Sequence, residues 1–164
     1  MTILDEIIAH KHIEIEAARQ AGFFAEASRG ARDSGREPVG FRQALQTTTG
    51  ASVIAEVKRR SPSKGLIRED FDPAWIATCY AGAGAACISV LTDEKFFGGS
   101  LSDLEAVRKA VDLPIIRKDF VIDPYQIDQA RVVGADAILL IVSVLEEGLM
   151  KSLRDHAVSL GLDV

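Results

Sequence analysis

The sequence predicts an α/β protein built on a parallel sheet, and two observations carry that prediction. First, short and nearly continuous apolar runs, SVIAEV (52–57), CISVL (87–91), LPII (113–116) and AILLIV (137–142), alternate with segments of helical periodicity. Parallel strands covered on both faces read this way, whereas half-solvated antiparallel strands alternate apolar with polar residues. Second, one join recurs: AGAGAACISV and RVVGADAILL both pass from a helix through Gly-Ala into an apolar strand, and VSLGLDV begins the same passage a third time. Strand starts recur at intervals of about 20–35 residues, the spacing of βα units.

Each element has its own signal. Ile3, Leu4, Ile7, Ile8, Ile13, Ile15 and Ala18 follow a helical period, with Thr2 placed as N-cap and Gly22 as a stop. Residues 29–40 (RGARDSGREPVG) are polar, hold three glycines and Pro38, and read as a loop. Residues 41–45 suit a short helix before the first strand. A helix is expected over 73–81, capped by Asp72 and opened by Pro73. Ser102-Asp103-Leu104-Glu105 has the form of a capping box for a helix reaching Val111. Residues 124–133 and 146–160 are the remaining helices, and 161–164 begins a further strand.

Composition narrows the function. The 164 residues, 48% hydrophobic and 26% charged, suffice for a globular domain with a substantial core. A net charge of −5 excludes a general nucleic-acid surface, so any cationic site must be local. No apolar run approaches the roughly 18 residues of a membrane span. The opening MTILDEIIAHKH lacks the basic-then-apolar layout of a signal peptide. Cys79 and Cys87 form no disulfide framework and read as buried small hydrophobes, consistent with a reducing cytoplasm. His10, His12 and His156 fall on helices, read as solvated-face residues and have no metal-binding spacing. Gly82-Ala83-Gly84 precedes a strand instead of following one, so it is no dinucleotide fingerprint, and no GxxxxGK[ST] occurs.

Chemistry gathers where the strands end. Glu56, Lys58, Arg59, Arg60 and Ser61 follow the first, Thr92 through Gly99 the second, and Arg117 through Phe120 the third. The loops entering the strands are small and bland. In (β/α) barrels the carboxyl ends of the strands hold the active site. Glu56 shares a strand face with Lys58, and Lys118 shares one with Phe120. If both faces point inward, Glu56, Lys58 and Lys118 converge, and buried charges of that kind need one another or an anionic ligand. Serine hydroxyls and backbone N–H groups beside cations, as in SPSKG (61–65), can seat a phosphate.

IAEVKRRSPSKG, LTDEKFFGGS, LPIIRKDFVIDPYQIDQAR and GADAILLIV, in this order, closely resemble the indole-3-glycerol phosphate synthase family of tryptophan biosynthesis. The resemblance covers essentially the whole chain. It implies a (β/α)8 TIM barrel with an N-terminal helical extension, residues 1–50, and a partial barrel, residues 51–164. It implies ring closure with decarboxylation and dehydration of 1-(2-carboxyphenylamino)-1-deoxyribulose 5-phosphate, an anionic phosphorylated substrate, without metal or organic cofactor. By motif position Lys118 matches the general acid, Glu56 an orienting carboxylate and Lys58 the second active-site lysine. Ser61 matches a phosphate contact, and Phe97, Phe120 and Leu139 match the walls around the anthranilate ring. An ammonium in an apolar pocket gives up its proton more readily, which suits protonation of a ketone oxygen during ring closure.

The family's barrel takes about 250 residues, so this chain is expected to be truncated to about four βα units and the start of a fifth strand. An unclosed barrel exposes strand edges and its inner face. That predicts low activity alone and self-association or pairing with a complementing C-terminal half. Two alternatives stay open: a non-catalytic binding or assembly module, and another phosphosugar-binding barrel enzyme, although the lysine pair and SPSKG argue against the latter.

Overall fold

The computed structural model describes residues 2–46 and 50–164. Three helices precede the first strand: α1 (Ile3–Gln20), α2 (Phe23–Asp33) and α3 (Phe41–Gln46). Thr2 caps α1 as expected. Its Oγ1 accepts from the Asp5 N–H at 3.2 Å while the Asp5 carboxylate accepts from the Thr2 N–H at 2.6 Å, a capping box. α2 corrects the sequence reading, because residues 29–33 are helical and the loop shrinks to 34–40. Tertiary packing overrides the glycine here. A Cβ at Gly30 would sit 3.0 Å from Val132 Cγ2, so the missing side chain is what lets the two helices meet. Phe24 stacks on Tyr125 with ring centroids 4.3 Å apart.

The remainder alternates strand and helix: β1 (Ile54–Val57), a two-stranded ribbon of β2 (Arg60–Ser61) and β3 (Gly65–Leu66), α4 (Pro73–Gly82), β4 (Cys87–Leu91), α5 (Glu94–Phe97), α6 (Leu101–Ala110), β5 (Ile115–Lys118), α7 (Pro124–Val132), β6 (Ala137–Ile138) and α8 (Glu147–Ser159). The main sheet is parallel in the order β1-β4-β5-β6. A parallel bridge from Ala137 to Asp163 continues the progression beyond β6. Such a sequential parallel sheet with helical crossovers is the architecture of a partial (β/α) barrel.

The recurring Gly-Ala join has a common geometry. Gly84, Gly134 and Gly161 have φ of +88°, +90° and +79°, the left-handed region in which glycine carries no Cβ penalty. Ala85, Ala135 and Leu162 each donate back to the carbonyl five residues earlier (Tyr80, Ala130 and Ala157) at 2.9–3.0 Å. Each is a Schellman stop that turns a helix into the next strand.

Other boundaries differ from expectation. α6 opens two residues early: Ser100, not Ser102, is its N-cap and accepts from the Asp103 N–H at 3.1 Å. β5 is Ile115–Lys118 instead of 113–116, because Pro114 has no N–H to give a ladder. β6 covers only Ala137–Ile138 of the run 137–142. Apolarity does not set strand length; paired hydrogen bonds do, and Val142, 73% exposed, has already left the sheet. Cys87 is buried as expected, whereas Cys79 is exposed on the outer side of α4. His12 is exposed, but His10 and His156 are half-buried and partnered, His156 by Asp128 at 2.8 Å.

One sheet face is covered by helices. Ile76, Leu104, Val107, Ile127 and Leu153 pack on Val57, Ile88, Val90, Ile115 and Ile138. On the other face α3 closes the amino end, where Phe41, Ala44 and Leu45 meet Cys87, Ile116 and Ala137. The foot of the sheet is locked by Asp136, whose side chain is fully buried. It accepts from Arg36, from Arg108 Nη1 at 3.0 Å and from the N–H groups of Val39 and Ile115 at 2.7 and 2.8 Å. Removing one partner of a buried ionic cluster strands the others, at about 3–5 kcal/mol. Asp136→Ala is therefore expected to lower the urea unfolding free energy by about that amount, read as a shifted midpoint at neutral pH.

Candidate active site at the strand tips

The parallel register places Glu56, Ser89 and Ile116 side by side, with Leu91 beside Lys118 two residues further on. Alternation puts this row on the face away from the helical layer. Glu56 Oε1 accepts from Lys58 Nζ at 2.6 Å and Oε2 from Lys118 Nζ at 3.2 Å. The expected convergence of the three is thus present, on the expected face. All three side chains are about one-third exposed, so the pairs are half-screened. Burial alone would raise the Glu56 carboxyl, but the bond from Lys58 and the charge of Lys118 outweigh it and hold the group below its ordinary value. Glu56 and Lys58 also border a hollow of about 220 Å³ with Ile67, Arg68, Ile76 and Tyr80.

Lys118 faces a second feature as well. Leu91, Phe97, Lys118, Phe120, Leu139 and Ile141 enclose a small cavity of about 70 Å³. The Phe97 and Phe120 rings lie 6.1 Å apart, tilted by 39°. Four residues named from the sequence therefore share one apolar slot, and Lys118 both lines that slot and pairs with Glu56. Ser61 borders neither cavity. It is buried in β2, and its Oγ accepts from the Lys64 N–H at 3.2 Å. The β2–β3 ribbon nevertheless abuts the Phe97 loop, since a Cβ on Gly98 would sit 3.0 Å from Arg60 Cδ. Gly99 is required for a similar reason: a Cβ there would lie 2.1 Å from the Leu91 carbonyl oxygen. Only glycine lets the loop carrying Phe97 run this close to the end of β4.

The sequence reading missed a buried ionic network behind these walls. Lys11 of α1, 3% exposed, lies 2.9 Å from Asp93 Oδ2, 3.2 Å from Asp119 Oδ1 and 2.8 Å from Glu14 Oε2. Asp119 Oδ2 also accepts from Thr92 Oγ1 at 2.6 Å and Arg117 Nη2 at 2.9 Å. Burial opposes charge on Lys11, yet Asp119, Glu14 and Asp93 hold its pKa above the ordinary value. A signal for Lys11 exists: Ile7, Lys11 and Ile15 are the buried positions of α1 and form one i, i+4, i+8 stripe. A hollow of about 220 Å³ between α1 and this network is lined by the paired Lys11, Glu14, Arg117 and Asp119 together with Glu94 and Gln129, and holds none of the residues expected from sequence.

Among the described residues no group of three or more His, Cys, Asp or Glu side chains is placed to hold a metal ion, and no helix is long and apolar enough to cross a membrane.

Fold and site together define a (β/α)-barrel-type protein with a paired-lysine carboxylate and an aromatic slot at the carboxyl ends of its strands. The chain belongs to the indole-3-glycerol phosphate synthase family, whose profile matches residues 4–164. Proteins named indole-3-glycerol phosphate synthase from Burkholderia ambifaria (strain AMMD), Rhodopirellula baltica (strain SH1) and Bordetella pertussis (strain Tohama I) are 57%, 54% and 51% identical to it. Each match covers 99% of this chain, and 62%, 62% and 63% of the respective relative. The chain thus spans a little under two thirds of the length of these relatives.

Asp119 gives the site a pH signature. Burial would raise its carboxyl, but Arg117, Lys11 and the bonds from Thr92 and the Phe120 N–H bring it down from 3.8 to about 2. A depressed acid adds stability that is complete above its unfolded value and lost as pH falls through its folded value. Unfolding free energy is therefore expected to drop, on the order of 2 kcal/mol, between pH 3.8 and about 2. Asp119→Asn is expected to be less stable at pH 7 and to flatten this window, as urea midpoints taken across it would show.

Proposed function

We propose that this chain carries the strand-tip chemistry of an indole-3-glycerol phosphate synthase, a carboxy-lyase that converts 1-(2-carboxyphenylamino)-1-deoxyribulose 5-phosphate to indole-3-glycerol phosphate, CO2 and water. One observation supports this most: Lys118, whose ammonium donates to Glu56, also lines the slot of Phe97, Phe120 and Leu139. A proton donor at the edge of an aromatic slot is what ring closure needs. As the aromatic carbon attacks the ketone carbon, a carbon–carbon bond forms and the ketone oxygen takes a proton. Loss of the ring carboxylate as CO2 then restores aromaticity; the new hydroxyl takes a second proton and leaves as water, and a proton lost from the adjacent methylene carbon forms the indole double bond.

In this reading Lys118 is the general acid, Glu56 orients both lysines, and Lys58 is the second cation, near the substrate phosphate. Ser61 and the neighbouring ribbon contact the phosphate, and Phe97, Phe120 and Leu139 grip the anthranilate ring. Residues 1–50 form a helical extension and residues 51–164 the barrel portion. Exposure supports the partner surface: among the described residues β1 pairs only with β4, and Val53, Ile54, Val142 and Val164 are 46% exposed or more. A second copy of this chain or a complementing polypeptide covers this edge and the inner face.

Three outcomes test these statements. A reduced, non-cyclising substrate analogue should bind, and its dephosphorylated form should bind at least about tenfold more weakly; equal binding of both would overturn the assignment. In whichever form turns over, the chain itself or its complemented assembly, Lys118→Ala should lower the ring-closure rate by about 10²–10⁴. On the partner surface, sedimentation velocity should show self-association or co-sedimentation with a complementing polypeptide, and a folded, dilute monomer that ignores such a polypeptide would refute it.

A further inference from the structure

Lys11 is a puzzle in its own right. It belongs to the helical extension, far in sequence from every strand-tip residue, yet its ammonium is almost wholly buried. Taking a lysine out of water is costly, and a helix can keep one inside only if its partners repay that cost. Besides Glu14 one turn along the same helix, its partners are two carboxylates on two different loops, and each of these two holds one wall of the aromatic slot. Asp93 Oδ1 caps α5 by accepting from the Phe96 and Phe97 N–H groups at 2.8 and 3.2 Å. Asp119 lies between Lys118 and Phe120 in sequence, and its Oδ1 accepts from the Phe120 N–H at 2.8 Å. The second oxygen of Asp93 lies 2.9 Å from the Lys11 ammonium, its one ion pair among the described residues. A further contact holds α5 to the same turn of α1, where Phe96 packs edge-on against His10 with centroids 6.0 Å apart.

We propose that Lys11 is a positioning residue that fastens the Phe97 wall to the Phe120 wall and thereby sets the slot in which Lys118 acts. The functional half of this statement rests on the synthase reading above; the geometric half does not. With Lys11 replaced by an apolar side chain of similar length, Asp93 and Asp119 remain buried beside the guanidinium of Arg117, which pairs with Asp119 and not with Asp93 among the described residues. Two close carboxylates sharing one cation repel. Asp93 loses its reason to face inward, the cap on α5 loosens, and the two rings separate. Small misplacements of this kind are expensive in reactivity and binding, because the slot must be formed before the ring enters.

The test compares the chain with Lys11→Met and Lys11→Arg. Amide hydrogen exchange by NMR should show Phe97 and Phe120 losing protection by about tenfold in Lys11→Met, while Ile88 and Ile115 in the sheet core keep theirs. Affinity for the reduced substrate analogue should fall by about tenfold, with affinity for inorganic phosphate unchanged. Lys11→Arg, which keeps the charge between the two carboxylates, should retain both properties. Three results would overturn the proposal: unchanged protection at Phe97 and Phe120, protection lost throughout the sheet, or undiminished analogue affinity in Lys11→Met. Failure of the unaltered chain to bind the analogue counts against the synthase reading instead, and the exchange pattern still decides whether Lys11 fastens the two walls.

Discussion

Glu56 accepts two ammonium groups, one on each oxygen, and that double acceptance depends on strand register. Lys58 comes from the same strand end, but Lys118 reaches Glu56 across β4 only because the three strands are parallel and stepped as they are. A slip of one residue in β5 would send Lys118 to the helical side and bring Arg117 inward. The register is itself pinned at the other end of the sheet. The Ile115 N–H, the first of β5, donates to Asp136, and the same carboxylate gathers Arg36, Arg108 and the loop at Val39. An apolar core alone would tolerate sliding; a buried acid with four specific donors does not.

The two faces of the sheet use charge differently. On the helical side Arg117, Asp119, Lys11 and Asp136 are deeply buried and saturated with partners, and their arrangement is rigid. On the inner side Glu56, Lys58 and Lys118 stay about one-third exposed. Half-exposed charges keep much of their hydration and can exchange partners at small cost. That contrast separates fixed charge from exchangeable charge: the buried set fixes positions, and the accessible set keeps the hydration and freedom that the proposed chemistry needs. Ser89, buried between Glu56 and Ile116 in the ladder, adds no charge to either set.

How far the sequence could be read follows the same division. Period-two alternation in short strands was enough to put Glu56 with Lys58 and Lys118 with Phe120, since side-chain direction in a strand is a local property; that the two faces share one side of the sheet is set by the register across β4. The Gly-Ala joins were legible because a Schellman stop is local too. What was not legible depended on contacts distant in the chain. Residues 29–33 read as loop because only the approach of Val132 explains a glycine inside that helix. The run 137–142 read as one strand because apolarity does not count ladder bonds. Lys11 went unremarked in the sequence, since nearly every helical lysine is solvated, and only the stripe it shares with Ile7 and Ile15 sets it apart. The phenylalanine walls came from resemblance; their distance from each other is a property of two loops that no local pattern encodes.

The helical extension is then more than a cover. Its first helix contributes Ile15 to the same core as the sheet and a buried cation to the loops beyond it. Hydrophobic burial fixes how close α1 lies but is nearly indifferent to sliding along its axis. An ammonium held between two carboxylates is not indifferent, because its energy depends on both distances at once. The ionic contact therefore supplies the directional part of a docking whose strength comes from apolar area. Since both carboxylates also hold backbone N–H groups beside the aromatic rings, the orientation of a helix outside the sheet is carried to the slot at the strand tips by two short, rigid links.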